Sequence, residues 1–313
     1  MAAGRHSRLS EWFNRRGWSD IIISAPYIWL LLFFLLPFLI VIVIAMSVAT
    51  RTPSAPPFGY GGDNPVLNFA GYARFFEDEL YLRALVTSII NAFVAMILCL
   101  LIGYPMALGL TRMQSNWRNI LLMLIILPFW TSFLLRVYAW MGMMGKSSWF
   151  NRLLTDIWNM VTPEGWAVSS IPMMHSNFAV VLVMVYTYLP FMILPLYANL
   201  ERLDPTLDEA AMDLGTRPFG VFWDVTLPQS IPGIIAGGLL VFIPASGELV
   251  IPTLVGDAGS PMIGRVISDE FSSSRDWPMA SSIAVALLLL MVVPTMIYSH
   301  FQTKAEHKPE NRP

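Results

Sequence analysis

Residues 204–228 read DPTLDEAAMDLGTRPFGVFWDVTLP, a polar island between two long apolar runs. Asp204 suits a helix N-cap, because its carboxylate can accept N–H groups that the first turn leaves unpaired. Pro205 suits the first helical position, where a missing N–H is no loss. Asp208 and Glu209 stand near that N-terminus, where the helix dipole favours negative charge. Leu207, Ala210, Ala211 and Leu214 recur at spacings of three and four, which puts them on one face. Gly215 fits a helix end that needs positive φ. Thr216 and Pro218 can start a second helix, which Leu227 and Pro228 are expected to end before the next apolar run. The island, about 201–230 with its connections, therefore reads as helix, turn, helix.

The rest of the chain sets the island's context. Of 313 residues, 56% are hydrophobic and only 13% charged, and the mean hydropathy is +0.60. Soluble domains carry roughly a quarter charged residues. The composition therefore indicates an all-α membrane protein with several spans. A net charge of -2 gives no support to nucleic-acid binding. The single cysteine, Cys99, lies in an apolar run. It has no partner for an internal disulfide or a metal site and reads as a small buried apolar residue.

A span needs about 20 apolar residues. Six stretches qualify, at about 21–48, 82–110, 120–144, 173–200, 231–255 and 279–301. The organisation expected is a tail at 1–20, a six-helix domain at 21–301 and a second tail at 302–313. The first apolar run, Ile21 to Ala49, exceeds the ~7–15 residues of a signal-peptide core and reads as a retained span. With six spans, Lys and Arg divide eleven to seven between the two sides. The richer side holds Arg5, Arg8, Arg15 and Arg16, the loop with Arg112 and Arg118, the island, and the C-terminal tail. That bias places both termini and the island in the cytoplasm. On the other side, residues 145–172 mix Trp149, Phe150, Trp158 and Trp166 with polar residues, as a short helix at the membrane surface would. Prolines recur inside the spans, where each can kink a helix.

Two ionisable residues fall inside expected spans, Arg136 in the third and Glu248 in the fifth. Such residues are costly in lipid and face a bundle interior. Either they pair with each other or with backbone carbonyls, or Glu248 faces a path and meets a cationic solute. Trp130 and Tyr138 are near Arg136 in sequence, and aromatic faces attract cations. Nothing in the chain supplies a nucleotide site. Gly145-Lys146-Ser147 resembles the end of a phosphate-binding loop, but the required first glycine would stand at Trp140. His6, His175, His300 and His307 show no metal-ligand spacing, and no G-x-S-x-G nucleophile motif occurs.

The spacing of Glu209-Ala210-Ala211, Gly215 and Val225-x-Leu227-Pro228 resembles the EAA loop of ABC importer permeases, with valine in place of the usual isoleucine. The resemblance implies a type I, MetI-like permease fold with six spans and a cytoplasmic coupling helix. It also implies that Glu209, Ala210, Ala211, Gly215, Leu227 and Pro228 carry coupling to an ATPase subunit, with ATP and Mg held on that partner and no cofactor on this chain. Further runs are similar to the spermidine/putrescine branch of these permeases, nearest the putrescine-type first permease. They are APYIW at 25–29, LPF at 36–38, LPFWTSFLLRVYAW at 127–140, YLPFM at 188–192, and Gly264-Arg265 with RDWP at 275–278. The expected partners are a second permease, two ATP-binding subunits, a periplasmic polyamine-binding protein and the lipid bilayer, with a polyamine as solute. Glu248 is then the candidate for a cation path, with Trp130, Tyr138 and Arg136 beside it. Importers of iron or an anion share the architecture. An ATP-independent secondary transporter is the rival class, and it lacks an EAA loop.

Overall fold

The computed structural model describes residues 24–49, 58–59, 68–163, 166 and 168–306. The expected N-terminal tail, the stretch holding Pro53, Pro56, Pro57, Gly61 and Gly62, and the last residues of the C-terminal tail lie outside them. In chain order, helix α1 is Ser24–Ala45. It is followed by the two-residue strands β1 (Val48–Ala49) and β2 (Phe58–Gly59), paired antiparallel. Next come α2 (Ala70–Glu77), α3 (Glu79–Thr111), α4 (Ser115–Ile126), α5 (Phe133–Met144), α6 (Trp149–Val161) and α7 (Asn177–Leu200). The island supplies α8 (Pro205–Asp213). Then follow α9 (Pro218–Ser246), α10 (Val250–Val255), α11 (Ile263–Ser272) and α12 (Trp277–Glu306).

Four of these helices, α1, α3, α7 and α9, are long and apolar enough to cross a membrane. The other two expected spans differ from a plain helix. Residues 120–144 are not continuous: the helical stretch Ser115–Trp130 meets α5 at an angle of 93°. Pro128 is the physical reason. The chain tightens into a 3₁₀ turn at Leu127–Trp130, and Thr131 closes it by donating both its N–H (3.2 Å) and its hydroxyl (2.7 Å) to the Pro128 carbonyl. The sixth expected span falls on α12, whose described apolar part, Trp277–Val292, is shorter than the four helices above.

The expected fifth span is corrected at both ends. Leu227 and Pro228 do not end a helix; α9 runs straight through them. A proline inside a helix lacks an N–H and crowds the carbonyl four residues back. The helix accommodates this by widening to a π turn at Phe222–Thr226, where the Leu227 N–H reaches back to the Phe222 carbonyl. The same device precedes Pro37 in α1, where Leu31–Leu35 is a π turn and Leu36 bonds to Leu31. At its other end α9 stops at Ser246, and the chain breaks at residues 247–249 before α10.

The chain divides into two compact units. The first joins Met1–Phe75 to Glu270–Ala286. Within it, the Ser282 hydroxyl donates to the Ala45 carbonyl at 3.1 Å. Gly71 lies so close that a Cβ there would come within 2.5 Å of the same hydroxyl. Arg74 meets Asp276 at 3.4 Å, and the Asp276 carboxylate caps α12 through the Met279 N–H at 3.0 Å.

The second unit joins Phe76–Asp269 to Leu287–Pro313 and holds the main core. Its centre is α3, α7 and α9. In α3, Ser88, Ala92, Ala95, Cys99, Gly103 and Ala107 form a buried stripe of small residues, which lets neighbouring backbones approach closely. Cys99 is fully buried, as expected, and its thiol faces the Val185 carbonyl at 3.6 Å. On α9, Gly233 and Gly237 face α7: a Cβ on Gly233 would meet Asn199 at 2.7 Å, and one on Gly237 would meet the Met192 carbonyl at 3.1 Å. Packing at these helices therefore rests on missing side chains.

Candidate functional site

Helix α8 forms as its sequence dictates. The Asp204 carboxylate accepts the Thr206 N–H at 3.0 Å, and Pro205 opens the first turn. That backbone N–H holds the Asp204 carboxyl below the usual carboxylate range. Gly215 ends the element with φ of +89°, and the Thr216 N–H returns to the Ala211 carbonyl at 3.1 Å. No atom lies within 4 Å of a Cβ built on Gly215, so its backbone conformation alone requires glycine there.

None of the α8 residues is buried. Glu209 and Ala210 are exposed, Ala211 is half-buried, and Leu207 and Met212 are exposed. Leu214 is 88% exposed, and Phe219 and Trp223 stand open beside it in α9. Of the apolar positions that share a face in sequence, Leu207, Ala210 and Leu214 are open among the described residues, and Ala211 is partly covered. By contrast, Leu227 and Pro228 belong to α9 itself, with Leu227 packed on the core. They anchor the island.

One polar link ties α8 itself to its surroundings, and a second lies just before it in the chain. The Thr226 hydroxyl donates to the Asp208 carboxylate at 3.4 Å, joining α8 to the π turn of α9. Arg118 of α4 pairs with Glu201, just past α7, at 3.1 Å. A polar crevice of about 270 Å³ lies among these groups, lined by Arg112, Arg118, Glu201, Asp204, Asp208 and Gln229. Sequence reading missed both links, since each joins residues at least 18 positions apart.

The second site centres on Glu248. It stands in the break between α9 and α10, not inside a helix as its apolar context suggests. The break is polar because the backbone there has lost its helical partners. One Glu248 carboxylate oxygen accepts the Val250 N–H at 3.0 Å, which covers the start of α10. The other accepts the Tyr188 hydroxyl of α7. Gly264 of α11 closes the arrangement. A Cβ there would lie 2.5 Å from the Gly247 carbonyl and 2.6 Å from that of Glu248.

Arg136 does not pair with Glu248. Among the described residues neither has an ion-pair partner. The Arg136 guanidinium instead lies 5.8 Å from the ring centres of both Phe129 and Phe133, and its buried Nε has no hydrogen-bond partner. Between the two charges stand three rings. Phe129 meets Phe191 edge-on at 5.1 Å, and Phe191 lies 6.2 Å from Tyr188. The third-span break and the fifth-span break are thus connected by an aromatic row carrying an unpaired cation at one end and an unpaired acid at the other. Phe129, Phe133, Phe191 and Glu248 are half-buried and Tyr188 is buried. Trp130 and Tyr138 are exposed, at 75% and 53%, and make no ring contact with this row. The motif runs at 127–140 and 188–192 contained Phe129, Phe133, Tyr188 and Phe191, but only the fold shows that they meet.

The family model for binding-protein-dependent transport system inner membrane components matches residues 1–307. The chain belongs to that family. Its members are inner-membrane permeases, in accord with the apolar helices and the EAA spacing. The spermidine/putrescine transport system permease protein PotB of Haemophilus influenzae is 37% identical over 281 residues, which cover 89% of this chain and 92% of that protein. The PotB of Escherichia coli is 36% identical over 270 residues, 86% and 92% of the two chains. The molybdenum transport system permease protein ModB of Mycobacterium bovis is 28% identical over 214 residues, 68% and 76% of the two chains. Among solved structures, a chain of the bacterial alginate ABC transporter, in complex with an alginate pentasaccharide-bound periplasmic protein, superposes with a TM-score of 0.71. That match covers 96% of this permease and 99% of the other chain at 14% identity, and it shows the ABC importer permease fold.

Proposed function

We propose that this permease is one of two paired membrane subunits of an ATP-driven importer for polyamines such as putrescine and spermidine. The observation that carries the solute class is the 37% identity to a spermidine/putrescine permease across nearly the full length of both chains. The half-buried Glu248 supports it, since an acid with no ion pair among the described residues suits a cationic amine. In this reading a periplasmic polyamine-binding protein delivers the solute to the outer loops, and both termini and α8 face the cytoplasm. Two ATP-binding subunits hold ATP and Mg. The uncovered side of α8, with Glu209, Ala210, Ala211 and Gly215, docks on one of them. Movement of that subunit pushes α8, and the Asp208–Thr226 link and the continuous α9 carry the push into the bundle. Glu248 lines the path, and α1, whose apolar surface is almost entirely open, lies against the partner permease.

The test is uptake of radiolabelled putrescine, with spermidine in competition, in a strain lacking this gene and carrying it back on a plasmid. Restored uptake that stops on ATP depletion is expected. Uptake that persists without ATP, with no ATPase subunit recovered on a tagged chain, would place the protein among secondary transporters. The unpaired Arg136 favours one second reading, an oxyanion importer like the molybdenum relative. Restored molybdate uptake without amine uptake would select it.

A further inference from the structure

The arrangement around Arg136 is unusual in one respect. A guanidinium carries five N–H donors and is normally met by carboxylate, phosphate or carbonyl oxygens. Here its seat is the faces of Phe129 and Phe133, both 5.8 Å away, and Nε is buried without an acceptor. Ring faces hold cations of any kind, ammonium as well as guanidinium. The same Phe129 ring continues through Phe191 to Tyr188, whose hydroxyl is bonded to Glu248. A linear amine whose end nitrogens stand as far apart as the two ring steps of 5.1 and 6.2 Å together, as in spermidine or octane-1,8-diamine, would with one ammonium at Glu248 lie along this row and bring its distal ammonium towards Phe129. That is the place Arg136 already occupies.

We propose that Arg136 is a tethered competitor: its guanidinium holds the ring seat that the substrate's distal ammonium takes in transit, and its return releases the substrate from Glu248. The inference rests on the reading of Glu248 as the acid of a cation path and adds a role for the one cation beside it. A path site must bind well enough to admit the solute and weakly enough to let it go. An acid with an aromatic row would hold a diamine too long. A built-in cation on the far ring weakens that hold by competing for the seat, and like-charge repulsion adds to the effect. Arg136 sits at the start of α5, just beyond the 93° break. A change at that break would therefore move the competitor on or off the ring.

The competition predicts a signature that a packing role does not. The assembled transporter, with both permeases and its ATPase subunits, is reconstituted in nanodiscs without binding protein. Equilibrium binding of octane-1,8-diamine and of octylamine is then measured. Arg136→Met should tighten diamine binding about tenfold, the worth of one cation–ring seat. It should leave octylamine nearly unchanged, because a lone ammonium at Glu248 does not contest the far ring. Arg136→Lys should return the diamine affinity to the wild-type value. No tightening, or an equal change for both amines, overturns the proposal. If Arg136→Met fails to assemble, Phe129→Leu removes the contested seat and should lower diamine affinity to that of octylamine; an unchanged diamine preference in this variant also overturns it. Glu248→Gln separates the two levels of the argument. Weakened binding of both amines upholds the cation path, whereas unchanged binding of both removes the path reading itself.

Discussion

Helix α8 and the break at Glu248 are both polar interruptions in apolar sequence, and they became legible in opposite ways. The α8 helix is satisfied from within. Its cap, its proline, its dipole-facing acids and its terminal glycine all lie within a dozen residues of one another. Glu248 is satisfied from afar, by Tyr188 sixty positions away and by a backbone break that Gly264 presses against. The first region is open on its surface and, among the described residues, is held by one side-chain link, from Thr226 to Asp208. The second is half-buried and lacks only a counter-charge. Local chemistry thus builds an uncovered helix, while tertiary packing builds the half-buried site.

That contrast breaks down if exchanges in the two regions have like effects. The largest loss is expected at Glu248. Glu248→Gln keeps one oxygen to accept the Val250 N–H and puts an amide NH2, which can donate to the Tyr188 hydroxyl, in place of the other. The charge is removed, and amine uptake should fall about a hundredfold, the worth of roughly 3 kcal/mol of charge in an apolar site. The protein should still reach the membrane in normal amount; a loss of expression instead would make Glu248 a structural residue. Next is Gly215→Val. At φ +89° a side chain costs about 1–2 kcal/mol, and since nothing crowds the site the whole effect should come from the turn. Uptake should drop about tenfold while amine binding to the transporter is unchanged. Weakened amine binding would show that the two regions are not separable.

Smaller effects sharpen the same division. Thr226→Val removes the donor to Asp208 and should lower uptake about fivefold, the value of roughly 1 kcal/mol for one hydrogen bond. Full activity would mean that α9 is driven through its backbone alone. The smallest effect is a pH dependence of α8. The Asp204 carboxyl is held below its unfolded value by the Thr206 N–H. Its capping contribution is therefore complete above the ordinary carboxylate range and fades as pH falls through the lowered folded value. Amide hydrogen exchange of residues 205–213 should speed up on acidification, and Asp204→Asn should flatten that response. An unchanged pH response in Asp204→Asn would assign it to another group.

Much of the fold could be read from residue order because spans, caps and the positive-φ glycine are local or periodic. Helices α1, α3, α7 and α8 lie close to where apolar runs and capping residues put them. Two of the errors share one cause, the assumption that a proline either ends a helix or merely kinks it. Pro228 does neither, because a π turn takes up its missing hydrogen bond. Pro128 does more, ending one half of a span through a 3₁₀ turn before a 93° bend. Whether a proline is absorbed or breaks the chain depends on what packs beside it, which residue order does not show. The helix that carries Glu209, Ala210 and Ala211, and the turn at Gly215, were readable from local capping and spacing, and so was the oddity of Arg136 and Glu248. Their non-pairing was not, nor was the row of Phe129, Phe191 and Tyr188, since it joins three rings from two distant motifs.

The proposed role of α8 as the point where energy enters is tested most directly by the ratio of amine imported to ATP hydrolysed. The measurement uses the complete transporter in proteoliposomes with its binding protein, comparing wild type with Glu209→Lys. Glu209 is exposed and outside the interior site, so its reversal should leave amine binding intact and drive the ratio towards zero. A Glu209→Lys transporter that keeps the wild-type ratio, or one whose uptake continues after ATP is exhausted, would contradict energy transfer through this helix.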